Sequence, residues 1–229
     1  RRRLPLSEIG SQFAAVGNGA AEAPLVAGLA IGSRIPEHWD GAGPDVDYYD
    51  LKGDVEAVLG LTGAVAEFRF EPATHAALSP GRTARILRGD RPIGWLGQLH
   101  PELAKRVDKK HAPVVFALEL EGLAPARVPA FQKYSKYPSI RRDLAIVVDD
   151  QVTVEALTQA VRAAAGDLLQ QVMVFDVYRG KGVDSRQKSV GLGLILQDSS
   201  RTLTDEDADQ KQRSVMQKLE HEFGATIRT

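Results

Sequence analysis

Lys188-Ser-Val-Gly-Leu-Gly-Leu-Ile-Leu-Gln197 alternates with period two, placing Val190, Leu192, Leu194 and Leu196 on one side. That alternation marks a strand with one face against a core. Working outward, residues 172–178 read as a strand with Val172, Val174 and Asp176 on one face, and residues 179–184 as a Gly-containing loop. Residues 143–148 (DLAIVV) form another strand. Thr153 then opens a helix as its N-cap, with Leu157, Val161 and Ala164 inward and Gly166 ending it. On the other side, Thr204 caps a long helix. Its first turn holds Asp205, Glu206 and Asp207, favourable at the positive end of the helix dipole. Val215 and Leu219 line its core stripe, Phe223 precedes the terminating Gly224, and residues 225–229 read as a last short strand. The order β-α-β-β-α-β predicts an α+β, ferredoxin-like domain over residues 133–229.

The upstream half is less regular. Residues 4–13 read as extended, 17–23 as a loop, 25–31 as a buried strand and 36–44 as a loop. Residues 47–63 have helical spacing, with Leu51, Val55, Val58 and Leu59 on one stripe and Gly60 and Gly63 at the end. Residues 66–70 read as a strand. Residues 82–87 and 92–99 read as a hairpin across Arg88-Gly-Asp-Arg91. A short helix begins with Pro101, where no donor is needed, and residues 114–120 read as a central strand. The Pro and Ala positions of 123–128 mark a connection. The domain boundary is expected between Glu121 and Lys133, leaving residues 1–125 as an antiparallel-sheet domain.

Composition narrows the function classes. The chain has 229 residues, 29 Lys and Arg against 30 Asp and Glu, and 43% hydrophobic residues. That apolar content supports packed cores rather than disorder. No run of about 18 apolar residues exists, which excludes a helical membrane span. The absence of cysteine excludes disulfides, thiolate metal sites and thiol nucleophiles. A net charge of −1 argues against non-specific coating of nucleic acid but leaves room for a local basic patch. The chain starts Arg1-Arg2-Arg3 without an initiator Met or an apolar signal core, as if cut from something longer.

No catalytic constellation emerges. The histidines, His38, His75, His100, His111 and His221, form no pair at helical spacing for a metal. His100 precedes a helix and suits a cap; His38 lies beside Trp39 in a loop. Asp205-Glu-Asp-Ala-Asp209 lacks the turn glycine and distal glutamate of a cation loop and reads as a helix start. Asp47, Asp50 and Asp54 read as a solvated helix face. No phosphate loop, dinucleotide fingerprint or nucleophile elbow is present, and Gly180-Lys181-Gly182 suits a loop.

Basic and aromatic residues interleave instead. Lys133, Lys136, Arg141 and Arg142 lie among Phe131, Tyr134 and Tyr137, and Arg179, Lys181, Arg186 and Lys188 flank the loop after residue 178. From Lys133 onward 14 basic residues balance 14 acidic ones, so only their segregation can make a basic face. Asp176 and Tyr178 share a strand face, Ser189 begins the next strand, and Arg228 lies on the last. Such a set suits stacking one base and hydrogen-bonding its edge. The plain alternative is a surface tyrosine beside an Asp176–Arg228 ion pair. Two other classes stand beside a nucleic-acid reader: a ferredoxin-like small-molecule-sensing module, which favours an apolar sheet face, and an autonomous enzyme, which lacks its nucleophile and phosphate loop here.

The motifs also carry a family resemblance. Lys136-Tyr-Pro-Ser-Ile-Arg-Arg-Asp-Leu-Ala-Ile-Val-Val148, Phe175-Asp-Val-Tyr-Arg-Gly-Lys-Gly-Val183, Lys188-Ser189, Leu194-Ile-Leu-Gln-Asp198 and Arg201-Thr-Leu-Thr-Asp-Glu206 resemble the ferredoxin-fold anticodon-binding domain of phenylalanyl-tRNA synthetases. Glu8-Ile9-Gly10, Glu37-His38-Trp39, Val46-Asp-Tyr-Tyr-Asp-Leu-Lys-Gly-Asp54, Pro80-Gly81-Arg82 and Ile93-Gly-Trp-Leu-Gly-Gln-Leu-His-Pro-Glu102 resemble the bacterial β-subunit family. The resemblance implies the latter part of a class II synthetase-like but non-catalytic core, followed by the anticodon domain. It implies a cytoplasmic (αβ)2 heterotetramer that charges phenylalanine tRNA, with ATP and Mg used on the partner α subunit. The fragment itself is then expected to hold no cofactor or metal and to do no catalysis alone. A non-catalytic core agrees with the absence of an Arg-x-Glu at Arg82 and of a Glu-Arg after Gly94-Trp-Leu-Gly97. Carried over residue by residue, the resemblance assigns the first anticodon base to Asp176, Tyr178, Ser189 and Arg228. Tyr178 stacks, Asp176 accepts from a guanine edge, and Ser189 and Arg228 donate. Lys136, Arg141, Arg179 and Lys181 are then expected to face phosphates.

Overall fold

The computed structural model describes residues 4–17, 19–35, 39, 41, 43–108, 110–128 and 134–228. The chain divides into two compact units, Arg1–Ala130 and Phe131–Thr229. The expectations on His38, Lys133 and Phe131, and part of the 36–44 loop, lie outside the described residues.

In the first unit, β1 (Leu4–Val16), β2 (Gly19–Ile31), β3 (Phe68–Pro72), β4 (Leu78–Arg88), β5 (Arg91–Leu99) and β6 (Val114–Glu119) form one antiparallel sheet in the order β1-β2-β6-β5-β4-β3. Helix α1 (Tyr48–Gly60) packs Leu51, Val55 and Leu59 against Ile86, Ile93, Leu96, Val114, Phe116 and Leu118. Two short helices follow, α2 (Pro101–Val107) and α3 (Leu120–Leu123). The His100 ring caps α2 by accepting from the Glu102 amide.

Several expectations change here. Residues 17–23 are not a loop: β1 and β2 pair over 13 residues each, from Leu4 opposite Ile31 to Val16 opposite Gly19. The small residues 19–23 hide a strand because neither side of that stretch is buried, so no alternation is imposed. Gly17, at φ +58°, supplies the left-handed turn that closes the hairpin. Residues 25–31 are half-buried rather than fully buried, with only Ala30 in the core. The strand expected at 66–70 begins at Phe68, because residues 65–67 form a 3-10 turn. Asp47 and Asp50 are not a free solvated face. They form a reciprocal capping box at the start of α1, and Arg34 bridges both at 2.7 and 2.9 Å.

Arg88 fastens the exit of this unit. It meets Glu67 at 2.8 Å and donates to the carbonyls of Gly122, Ala124 and Pro125 at 3.2, 3.0 and 3.1 Å. That guanidinium bond holds the Glu67 carboxyl below its usual range.

In the second unit, β7 (Ile140–Asp149), β8 (Leu169–Tyr178), β9 (Gln187–Leu196) and β10 (Thr226–Ile227) form an antiparallel sheet in the order β10-β7-β9-β8. Helices α4 (Val154–Ala165) and α5 (Asp205–Phe223) lie on one face over Leu144, Ile146, Val148, Val190, Leu192, Leu194 and Leu196. This is the ferredoxin-like arrangement the element order predicts. Thr153 and Thr204 cap the two helices, and Thr204 forms a capping box with Asp207. Gly166 and Gly224 follow their ends at φ +61° and +63°. In α4 the fully buried positions are Leu157, Ala160, Val161 and Ala165; Ala164 is only half-buried. The last strand stops at Ile227, though the Arg228 amide still donates to Ala145 at 2.9 Å.

Candidate nucleic-acid interface

Among the described residues no helix of the second unit covers the other face of its sheet, and a bulge in β8 decides what that face displays. Val172 and Val174 pair with Leu194 and Leu192 and face the core. The register then slips, so that Asp176 pairs with Gly191 and Tyr178 with Ser189. Val172, Val174 and Asp176 therefore do not share one face. The extra residue at the bulge turns the chain over, and Asp176 and Tyr178 both point to the open side. Phe175, the bulged residue, joins them there over Gly191.

The structure brings Asp176, Tyr178, Ser189 and Arg228 onto this one face. Ser189 lies between Val147 and Tyr178 across the strands and is 3% exposed. Among the described residues its hydroxyl has no hydrogen-bond partner, and a buried unpaired hydroxyl is a place where a ligand gains a bond. The Arg228 guanidinium lies 4.7 Å from the Tyr178 ring centroid, a cation–π arrangement. The Tyr178 hydroxyl donates to the Lys181 carbonyl at 3.2 Å, and Gly180 packs so closely that a Cβ there falls 2.8 Å from that hydroxyl. The ring is thus held by the loop that follows it. Asp176 is exposed, and the Asp176–Arg228 ion pair weighed as the plain alternative is not formed.

The expected phosphate contacts divide. Arg141 shares the open face, pairs with Asp143 at 2.7 Å and lies 5.7 Å from the Phe175 ring. Lys181 is exposed beside Tyr178, and its ammonium has no partner among the described residues. Arg179 is held by Asp150 at 2.7 Å. Lys136 stands 5.4 Å over the Tyr137 ring, in a segment tied to the far end of β9. The ties are Ser135 to the Asp198 carbonyl at 2.8 Å and Gln197 to the Tyr137 carbonyl at 2.6 Å. Gln197 directly follows β9 and lies eight residues from Ser189, about 25 Å of extended chain. The structure does not bring Lys136 to the group formed by Asp176, Tyr178, Ser189 and Arg228.

Two other basic residues from the same sequence clusters are internal ties. Arg142 reaches Asp205 at 2.5 Å and Asp209 at 2.9 Å on α5. Lys188 is buried and donates to the Asp150 carbonyl at 2.8 Å, and burial lowers its ammonium below the usual lysine range. Sequence reasoning missed Phe175. The signal was present in β9, where Gly191 and Gly193 leave the open face without side chains for a ring to lie on.

The first unit holds a second concavity, about 480 Å³, beside a stacked His75–Trp95 pair 4.7 Å apart. Its arginine is committed: Arg85 binds Glu71 at 3.2 Å, and next to it Arg91 binds Glu119 at 3.1 Å. Among the described residues no group of three His, Asp or Glu is placed to hold a metal ion. No helix among them is long and apolar enough to cross a membrane.

Comparison with known proteins now bears on both units. Residues 1–120 match the family model of the phenylalanyl tRNA synthetase beta chain CLM domain, and residues 135–228 match the ferredoxin-fold anticodon binding domain. The phenylalanine–tRNA ligase beta subunit of Pseudomonas syringae pv. tomato is 42% identical over 226 residues, covering 99% of this chain and 28% of that protein. The beta subunits of Dechloromonas aromatica and Methylococcus capsulatus are 42% and 40% identical over 99% of this chain. The chain spans under a third of the length of these curated relatives.

Proposed function

The chain belongs to the phenylalanyl-tRNA synthetase beta-chain family, and from that premise we propose that it is the anticodon-reading and assembly end of a phenylalanine–tRNA ligase. The observation that carries the proposal is the open sheet face of the second unit. Tyr178 offers a ring, Asp176 an acceptor and Ser189 a buried hydroxyl, neither with a partner among the described residues, and Arg228 a long-armed donor, all within one patch. A guanine edge presents both donors and acceptors, so a carboxylate with a hydroxyl and a guanidinium complements it. Lys181, and Arg141 farther along the same face, supply the positive charge that an RNA backbone requires. The sensing-module alternative expects an apolar sheet face, whereas this one carries Arg141, Asp143, Asp176 and Arg228.

We place the two domains at residues 1–125 and 133–229. In this proposal the phenylalanine-charging chemistry, with its ATP and Mg, belongs to a partner α subunit in a cytoplasmic (αβ)2 assembly. The pairing of the sheet arginines among the described residues of the first unit supports placing that chemistry elsewhere. A phosphate clamp needs a guanidinium held ready for the ligand. Here Arg69, Arg85, Arg88 and Arg91 are each already bonded to a carboxylate. Arg82 instead meets the Gln98 side-chain oxygen.

The test is a filter-binding assay of the full chain against a phenylalanine-tRNA anticodon stem-loop and the same hairpin with a scrambled loop. Preferential retention of the native loop is expected. Equal retention of both contradicts the anticodon reading.

A further inference from the structure

Tyr178 is not the only ring on the open face. Phe175 is 50% exposed, the one phenylalanine on a described strand of this sheet, and its ring is open to a ligand. Alternation along β8 already turns Phe175 to this face, opposite the core-facing Val174, and the bulge that follows sets Asp176 beside it on the same side. It also lies flat, since a Cβ added at Gly191 comes within 2.6, 2.9 and 3.1 Å of its ring carbons. The neighbouring Gly193 leaves room in the same way for Arg141, whose guanidinium atoms lie 3.5 Å from a Cβ added there. Arg141 is in turn fixed by Asp143 at 2.7 Å and stands 5.7 Å from the Phe175 centroid. The face therefore repeats one device: an aromatic ring, an arginine over it, and a glycine that lets the ring pack closely.

We propose that Phe175, with Arg141, is a second stacking ledge, which takes the base of the loop nucleotide next to the one held at Tyr178. The proposal rests on the anticodon reading of this face and adds to it a second nucleotide position with its own residues. The spacing supports it. Asp176, which follows Phe175, pairs with Gly191, and Tyr178 pairs with Ser189, two residues along β9. Two residues of strand are roughly 7 Å, a step that neighbouring nucleotides of an unpaired loop can span. Four-stranded RNA-binding sheets use aromatic side chains on their open face to stack two or three successive bases. Arginine beside such a ring adds cation–π attraction for a base and charge for its phosphate. An exposed Phe175 also suits a protein partner, but an apolar docking patch has no use for an arginine positioned over each ring.

The full chain is titrated with the anticodon stem-loop and with a stem-loop made abasic at the nucleotide adjacent to the first anticodon base. Phe175→Leu, which keeps apolar bulk without the ring, is expected to weaken the intact loop about ten-fold, as loss of one stacked base does. It is expected to have no further effect on the abasic loop, and Phe175→Tyr is expected to bind within two-fold of the original. If Phe175→Leu binds the intact loop unchanged while Tyr178→Ala loses affinity, the second ledge is overturned and the anticodon reading stands. If Tyr178→Ala is unchanged too, both fall. A measurement without substitutions guards against a misfolded variant: 2-aminopurine at the adjacent position is expected to be quenched on binding. Unchanged fluorescence overturns the ledge, and quenching upheld in the Phe175→Leu chain assigns the stack to another residue and overturns it equally.

Discussion

Arg228 and Tyr178 belong to opposite edges of the four-stranded sheet, yet the guanidinium of one lies 4.7 Å from the ring centroid of the other. Ser189, 3% exposed, is the cross-strand partner of Tyr178 on β9. A base that stacks on that face of Tyr178 must displace the guanidinium, which then swings to the base edge or to a phosphate. The cation–π contact thus holds the donor close to where it is used.

Tyr178→Ala is expected to weaken binding of the anticodon stem-loop by about 1–3 kcal/mol, the usual loss of one stacked base. Tyr178→Phe keeps the ring and loses only the bond to the Lys181 carbonyl. A neutral hydrogen bond of that kind contributes about 1 kcal/mol, so Phe must bind better than Ala. Filter binding of the two variants side by side checks the order.

Lys181 and Arg142 are both basic, but their surroundings assign them different work. Lys181→Ala removes an exposed charge beside the site, so the slope of log K against log salt should fall by about 0.7, one single-strand phosphate contact. Arg142→Ala should leave that slope unchanged and lower the melting temperature, because Arg142 ties β7 to Asp205 and Asp209 of α5. Salt titrations and thermal melts of the same two proteins separate the roles.

Thr204 is the N-cap of α5, and its hydroxyl accepts from the Asp207 amide at 3.2 Å. Thr204→Ala is expected to destabilise the second unit by about 1 kcal/mol. Urea unfolding followed by circular dichroism reads this loss, and stem-loop affinity under native conditions should not move.

Acid should unfold the second unit through α5. The Arg201 guanidinium, with the Thr204 amide, holds the Asp207 carboxyl far below the usual carboxylate range. Hydrogen bonds from Ser200 lower Asp198 as well. A depressed carboxylate stabilises the fold while it is ionised, so this contribution is complete above roughly pH 4 and fades as pH falls through the folded-state value. The urea midpoint should therefore be flat between about pH 7 and pH 5 and drop below about pH 4. Asp207→Asn should flatten that drop.

The second unit was legible because its burial is one-sided. Val190, Leu192, Leu194 and Leu196 print the core face of β9 directly into the sequence, and Thr153, Gly166, Thr204 and Gly224 mark both helix ends. The β1–β2 hairpin was not legible, since an exposed edge strand and its small-residue partner need no alternation. The four residues expected to read a base do share one face, but for a reason the structure amends. Period two puts Asp176 with Val172 and Val174, and only the bulge at Phe175 turns it to the open side with Tyr178. Bulges depend on the partner strand, here on the close approach allowed by Gly191, so a single strand's pattern cannot reveal them. Lys188 shows the converse. It reads as surface charge and is a buried tie to Asp150.

The central claim is that this face reads the first anticodon base rather than RNA charge alone. The most direct measurement titrates the full chain with the phenylalanine-tRNA anticodon stem-loop and with one whose first anticodon base is changed, each at two salt concentrations. The account predicts that both affinities fall as salt rises and that the changed loop binds about ten-fold or more weakly at either salt, a gap that Asp176→Ala narrows. Equal affinity for the two loops at both salts would contradict it.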